Sequence, residues 1–464
     1  MSTTAASSRQ DARRELMLNS PMRSIIPKMA LPAMTSMVIM SLYNMADTYF
    51  VSSLGVEATG AVGINASLLN FIQMSGTFFA FGANSFISRL LGARRDEDAS
   101  RVLSFAFFST MFLGIVVMIL GLSLIEPLVR LLGAKDPLVI QYSTDYASYI
   151  LYFAPFMIPS FVMNQCLRAE GSSTFSMIGM VSGALLNVIL DPIFIFTFNM
   201  GVAGAAAATG ISKTVTFLVL VSPYLRKKSL LTLSIKKFIP NKEIIAEVSK
   251  MGLPTLLRSA LMTSANILTN NTASAFSPAA LAAVSIVNRI MTFMASAIMG
   301  FGQGYQPVAG FNWGAKRYTR VRQAFNFAAR ASMIAVSVLS VLAVIFARQI
   351  IGIFSDNEET LRVGAFCLRF QCIVNPVHAW VMIVNSTCSA LGKAKSSALL
   401  GIARQGLCFI PMVLILPNIF GIWGLASAQG AADLLSFFFA LPLALHIFKE
   451  INRLSADNSM TEVI

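Results

Sequence analysis

The chain has 464 residues, of which 56% are hydrophobic and 12% charged, with a mean hydropathy of +0.70 and a net charge of +14. A soluble domain carries roughly 25% charged side chains and could not hide this much apolar surface, which excludes a soluble enzyme or binding module. The positive charge would point to nucleic acid in a soluble protein, so its distribution along the chain decides its meaning.

A polar segment over 1–23 with Arg9, Arg13 and Arg14 precedes a first apolar stretch too long for the core of a cleavable signal, which reads as a retained span. Apolar segments bounded by charged or Gly/Pro-marked breaks then follow over approximately 24–52, 58–88, 99–124, 136–165, 173–199, 203–225, 245–273, 279–310, 319–347, 360–390, 395–416 and 421–448. Each meets the roughly 20 residues that a membrane helix needs. Unbroken runs such as Thr110 to Leu124 and Ala331 to Ala347 lack the alternation of a β-barrel. The predicted fold is an all-α polytopic membrane protein of about twelve transmembrane helices.

With the N-terminus placed inside, the alternating loops sort the charge. Twenty-five basic residues, from Arg9 to Arg453, fall on the cytoplasmic side, against Arg130, Lys135, Arg348 and Arg362 opposite. Such a bias puts both termini in the cytoplasm and accounts for the basic loops without nucleic acid. Cys166, Cys367, Cys372, Cys388 and Cys408 show no CxxC spacing, and His378 and His446 are too far apart for a metal centre.

The chain repeats itself at an offset of 222 residues. Leu31-Pro32 falls on Leu253-Pro254, Gly82 on Gly304, and Gly92-Ala93-Arg94-Arg95 on Gly314-Ala315-Lys316-Arg317. With a shift of one or two residues, Asn164 falls on Asn385, Gly171 on Gly392, and Gly201 and Gly204 on Gly421 and Gly424. Six spans per copy is an even number, so the repeats are parallel, an arrangement that places a substrate cavity between the halves. The expected organisation is a cytoplasmic tail over 1–23, an N-lobe over 24–225, a linker over 226–244, a C-lobe over 245–448 and a cytoplasmic tail over 449–464. No GxxxxGK[ST] phosphate loop is present, so energy would come from an ion gradient. Gly300, Gly302 and Gly304 lie in an apolar span and read as helix packing.

Ionisable groups within spans are functional candidates because each costs roughly 2.5 to 3.5 kcal/mol in hydrocarbon. Asp47, Asp191 and Thr209 fall at similar depth in the outer half of the first copy, and Asn187 precedes Asp191 by one helical turn. Pro192 cannot donate to the Val188 carbonyl, which adds another oxygen. This oxygen-rich set suits Na+ or a proton, while simple helix capping by the two acids is the plainer alternative. Lys213, one turn beyond Thr209, is read as an ion-pair partner of one carboxylate, either modulating or merely neutralising it. In the second copy Arg258, Arg289, Arg369 and Arg404 accompany the single obvious acid Asp433. Arg258 could snorkel. Arg289 could meet an anionic substrate group, Asp433 or helix-end carbonyls. Asn44, Asn266, Asn270, Arg289 and Gln303 are the candidate substrate contacts.

The stretches LYNMADTYF from Leu42, RAEG from Arg168, GALLNVILDPIFIF from Gly183, GVAGAAAATGISK from Gly201 and FGQGYQPVAGFNWGAKR from Phe301 resemble the multidrug and toxic compound extrusion (MATE) family of the MOP flippase superfamily, its DinF-like branch above all. The resemblance implies a secondary active exporter of lipophilic, typically cationic compounds, antiporting H+ or Na+ by alternating access of two lobes. It implies a protein of the cell inner membrane, with no catalysis and no cofactor, acting on small molecules and expected to be a monomer. The family's cation-site pattern falls on Asp47, Asn187, Asp191 and Thr209, and its bending proline on Pro32. Two departures stand out: the C-lobe acids of the NorM-like branch are not evident, and Lys213 stands where an uncharged polar residue is expected. The basic second copy keeps open a lipid-linked precursor flippase, or an exporter of an anionic or zwitterionic metabolite.

Overall fold

The computed structural model describes residues 12–461. Arg9 and the rest of 1–11, with 462–464 of the C-terminal tail, lie outside the described residues. Helices α1 Met22–Ser52, α2 Val56–Gly92, α3 Asp96–Ser123, α4 Pro137–Ala169, α5 Ser173–Thr197 and α6 Gly201–Leu225 form the first copy. Its repeats are α7 Lys242–Phe276, α8 Pro278–Gly314, α9 Tyr318–Ile345, α10 Glu358–Ala390, α11 Ala394–Phe420 and α12 Ile422–Thr461. No strand occurs among the described residues.

Ten of these helices are both long and apolar enough to cross a membrane. The other two, α2 and α7, are long but more polar: α2 carries Asn65, Asn70, Gln73, Asn84 and Arg89, and α7 carries Arg258, Asn266, Asn270 and Asn271. Two short helices that the apolar pattern does not separate, Ile125–Leu131 and Ala347–Gly352, begin at repeat-equivalent positions.

Local chemistry accounts for the ends. Asp136 caps α4 by accepting from the Leu138 and Val139 amides, Ser277 caps α8 through Ala280, and Asn357 caps α10 through Thr360. Pro137 and Pro278 occupy first turns, where no donor is needed. At the opposite ends the left-handed turns recur in register: Arg94 with Lys316, and Gly171 with Gly392. The repeat is therefore encoded in backbone turns as well as in side chains.

By packing, the chain divides into two units. Among the described residues the first comprises 12–16 and 31–252, and the second 17–30 and 253–461. The start of α1 thus packs with the second copy, and the linker plus the start of α7 packs with the first. Within the second unit, Gly304 accommodates the backbone of Ala30, Asn312 donates to the Met17 carbonyl at 3.2 Å, and Arg317 donates to the Leu18 carbonyl at 2.9 Å. Within the first unit, Gly82 accommodates the Val248 backbone and Arg89 pairs with Glu247 at 2.9 Å. Gly82 and Gly304 are equivalent, so each copy uses the same notch to receive an incoming helix. A Cβ at either would meet backbone, which cannot yield as a flexible side chain can.

Within each unit one helix is central. In the first, α4 packs on α2, α3 and α6; in the second, α10 packs on α8, α9 and α12. This centrality buries polar groups such as Tyr146, Arg168, Asn375 and His378 on α4 and α10. Ser176 donates to Asn164 in the first unit, and Ser397 donates to Asn385 at the equivalent place in the second, at 2.8 Å. Outward faces are apolar, with Leu120, Ile189, Ile334 and Phe438 exposed, as lipid contact requires.

The linker is clamped rather than free. Glu170, fully buried at the turn between α4 and α5, accepts from the Ser229 hydroxyl and from the Leu230 amide at 2.9 Å. Downstream, the Thr232 amide donates to Ser100 at 3.2 Å, and Phe238 stacks on Phe105. Burial pushes the Glu170 carboxyl up from an ordinary 4.5 to about 7, against the hydrogen bonds from Ser229 and Leu230 and the Arg13 charge. A raised carboxyl pKa means that the docked state holds its proton more tightly than the undocked one. Its contribution to docking is therefore full at low pH and lost as pH rises from about 4.5 to about 7. Amide-exchange protection at 230–232 is expected to fall over that window in the wild type and to stay level in Glu170→Gln. Parallel profiles for the two proteins would refute the clamp.

Candidate ion-coupling site

Three helices of the first unit bring the candidate cation ligands together. From α1 come Tyr43 and Asp47, one turn apart; from α5, Asn187 and Asp191; from α6, Thr209 and Lys213. The α5–α6 approach is close because Gly183 faces Thr216, where a Cβ would collide with the Thr216 hydroxyl. As a result Asn187 Nδ2 donates to Asp191 Oδ1 at 3.1 Å and reaches Thr209 Oγ1 at 3.4 Å. The Tyr43 hydroxyl hydrogen-bonds Thr209 and ties α1 to α6. Asp47 and Asp191 lie near enough to repel.

Beyond Pro192, residues Ile193–Thr197 form a π-helical turn. A proline supplies no N–H to the Val188 carbonyl, and the ladder restarts in a wider register, as π-turns at functional positions often do.

The decisive property of the cluster is what it leaves unsatisfied. Asp47 Oδ1, Asn187 Oδ1 and Asp191 Oδ2 are buried acceptors without a hydrogen-bond partner. Each unmet buried acceptor costs about 1–3 kcal/mol, and more when charged. Three such oxygens from two helices fit a hard cation or a proton, and the plain capping role leaves them unexplained.

Lys213 departs from expectation. It forms no ion pair with either carboxylate; its ammonium stands over the Tyr43 ring at 5.4 Å while feeling the Asp47 charge at longer range. The ring takes the position of a direct partner and holds the cation through its face.

In the second unit, Arg404 makes a two-pronged ion pair with Asp433, Nε to Oδ1 at 2.6 Å and Nη2 to Oδ2 at 3.3 Å. Gln429 Nε2 adds a third donor to Asp433 at 3.2 Å. Arg404 sits in a π-helical stretch, Ala403–Phe409. Asp433 is therefore taken by Arg404 and not by Arg289, which is exposed. The carbonyl contact belongs to Arg369, which donates to the Val344 oxygen at 3.2 Å. Arg258 is half-buried beside Gly401 and feels the charge of Arg404.

Of the candidate substrate contacts, Asn44, Asn266, Asn270 and Arg289 are exposed, whereas Gln303 is buried within the second unit. Sequence reasoning missed Tyr43 and Tyr146, both of which interact electrostatically with Asp47 and Asp191. Tyr43 was findable, since it precedes Asp47 by one turn. Tyr146 enters from α4 with no local signal.

A family model described as MatE matches residues 32–193 and again 254–415. The chain belongs to the MatE family. Both MatE matches begin on the repeat-equivalent prolines Pro32 and Pro254, the points just after α1 and α7 change unit. The multidrug export protein MepA of Staphylococcus saprophyticus is 27% identical over 431 residues, 93% of this chain and 94% of that protein. MepA of Staphylococcus aureus is 27% identical over 445 residues, 95% of this chain and 96% of its own length. Among solved structures, a MATE in complex with MaL6 superposes with a TM-score of 0.88 at 26% identity, covering 95% of this chain and 99% of that one. An outward-facing multidrug resistance MATE transporter of the MOP superfamily gives 0.87 at 26% identity, covering 95% and 98%. This MatE chain is a multi-pass, all-α membrane transporter and not an enzyme.

Proposed function

We propose that this MatE protein exports lipophilic small molecules in exchange for H+ or Na+ bound at Asp47, Asn187, Asp191 and Thr209. It works as a monomer in the cell inner membrane with both termini cytoplasmic, and needs no cofactor. The observation that carries the reading is the convergence of three unpartnered buried oxygens, from Asp47, Asn187 and Asp191, in one unit. The multidrug export function of the MepA relatives supports the direction and the substrate class.

Cation binding lowers the energy of whichever conformation buries those oxygens, and only that difference in affinity can drive transport. A proton or Na+ arriving from outside relieves the Asp47–Asp191 repulsion and the unmet acceptors together. Pro32 supports a hinge in α1, because it lies just past the point at which that helix passes from the second unit to the first. Lys213, held over Tyr43, places a base beside the two acids and so modulates which cation the pocket accepts.

Proteoliposomes loaded with a fluorescent lipophilic cation, under separately imposed pH and Na+ gradients, test the reading. Efflux should accelerate under at least one inward gradient and collapse when that gradient is dissipated. Efflux indifferent to both gradients would rule out coupling.

A further inference from the structure

The two copies share a scaffold but carry different charges on it, and one equivalent position exchanges sign. Lys213 stands nine residues after Gly204, and Asp433 nine after the equivalent Gly424. Gly183 stands twelve residues after Gly171, and Arg404 twelve after Gly392. Ser36 stands four residues after Pro32, and Arg258 four after Pro254. One copy groups two acids with one base, Asp47, Asp191 and Lys213. The other groups two bases with one acid, Arg258, Arg404 and Asp433.

The unsatisfied atoms invert as well. Around Asp47 and Asp191 they are oxygens, whereas on α10 they are Asn375 Nδ2 and, one turn later, His378 Nε2. His378 is only 5% exposed and interacts electrostatically with both Arg404 and Asp433. Arg258 has no hydrogen bond or ion pair among the described residues, and its strongest charged neighbour is another arginine. Arg404 and Asp433 each lie about 15 Å into their helices, ten and eleven residues from the ends at 1.5 Å per residue. Asp433 neutralises Arg404 alone. A guanidinium without a counter-charge, packed beside Gly401 and next to Arg404, is costly unless an anion joins it.

We propose that the second unit binds an anionic group around Arg258 and Arg404, with His378 supplying an N–H, where the first unit has its cation cluster. The group is either the carboxylate of a zwitterionic substrate or an inorganic anion such as chloride. Asp433 holds Arg404 in place, and Arg258, whose fork is unengaged, makes the new contact. The substrate arm rests on the export reading above; binding of the anion does not.

Rhodamine 110, which carries a free carboxylate, and rhodamine 123, its methyl ester, form a matched pair of probes. Their binding to the full-length purified protein is read by fluorescence anisotropy, and benzoate is added as competitor. Benzoate should displace rhodamine 110 and spare rhodamine 123. Arg258→Gln should weaken rhodamine 110 roughly tenfold or more while leaving the ester unchanged, and Arg258→Lys should fall between. That pattern identifies a substrate carboxylate as the occupant. If instead replacing chloride by gluconate alters the binding of both dyes in the wild type and of neither in Arg258→Gln, the occupant is the inorganic anion. Equal behaviour of both dyes in every arm, with no chloride dependence, overturns the site. Gradient coupling through Asp191 is unaffected by any of these outcomes, so failure here and failure of the export reading are separable.

Discussion

Asp191→Asn is expected to abolish gradient-driven export while the protein remains folded. The substitution keeps the side-chain size and keeps an oxygen at Oδ1 to accept from Asn187 across 3.1 Å. It removes one of two carboxylates that repel each other, so folding loses nothing and the repulsion from Asp47 disappears. Cation binding, by contrast, loses a buried charged ligand. Truncating one partner of a buried hydrogen-bonded charge pair costs about 2–5 kcal/mol, and every 1.4 kcal/mol is about tenfold in affinity. Flux in proteoliposomes under the active gradient should fall by roughly that factor, with the thermal midpoint in detergent unchanged or higher. Full export by a folded Asp191→Asn variant would remove Asp191 from the coupling machinery.

A second large effect is expected at the Arg404–Asp433 pair. Asp433 is 9% exposed in its side chain and Arg404 22%, so the pair is largely desolvated. Replacing Arg404 by Leu leaves Asp433 with Gln429 alone and an uncompensated buried charge, which costs about 3–5 kcal/mol. Replacing both by Leu removes the desolvation penalty together with the attraction, and stability should return to the wild-type range. Denaturation of the two variants in the same detergent distinguishes the outcomes. A double variant as unstable as the single one would mean that Arg404 acts by packing and not by charge.

Much of the cation cluster was legible because its members are local pairs. Asn187 and Asp191, or Thr209 and Lys213, share a helical face at any tertiary arrangement, and the 222-residue repeat announces two bundles without coordinates. The ion pairs were not legible in this way. Arg289, Arg369 and Arg404 all lie in or near apolar spans with the same chemistry on paper. Which one meets Asp433 depends on α11 packing against α12, and Arg404 alone is carried there. Lys213 was expected to reach a carboxylate, yet Tyr43 from α1 stands beneath its ammonium.

The division of labour follows from the range of the forces. Composition, charge bias and periodicity act along the chain and determine by themselves a membrane protein of two parallel helical copies, with acids in one and arginines in the other. The exchange of the α1 and α7 starts between units, the clamp of Glu170 on the linker, and the bringing of Asp47 from α1 within electrostatic reach of Asp191 on α5 are decided only in the tertiary structure. Each of these depends on the close approach of residues distant in sequence, and for the helix starts and the α5–α6 contact Gly82, Gly304 and Gly183 leave room for it. No local pattern encodes which distant backbone will arrive there.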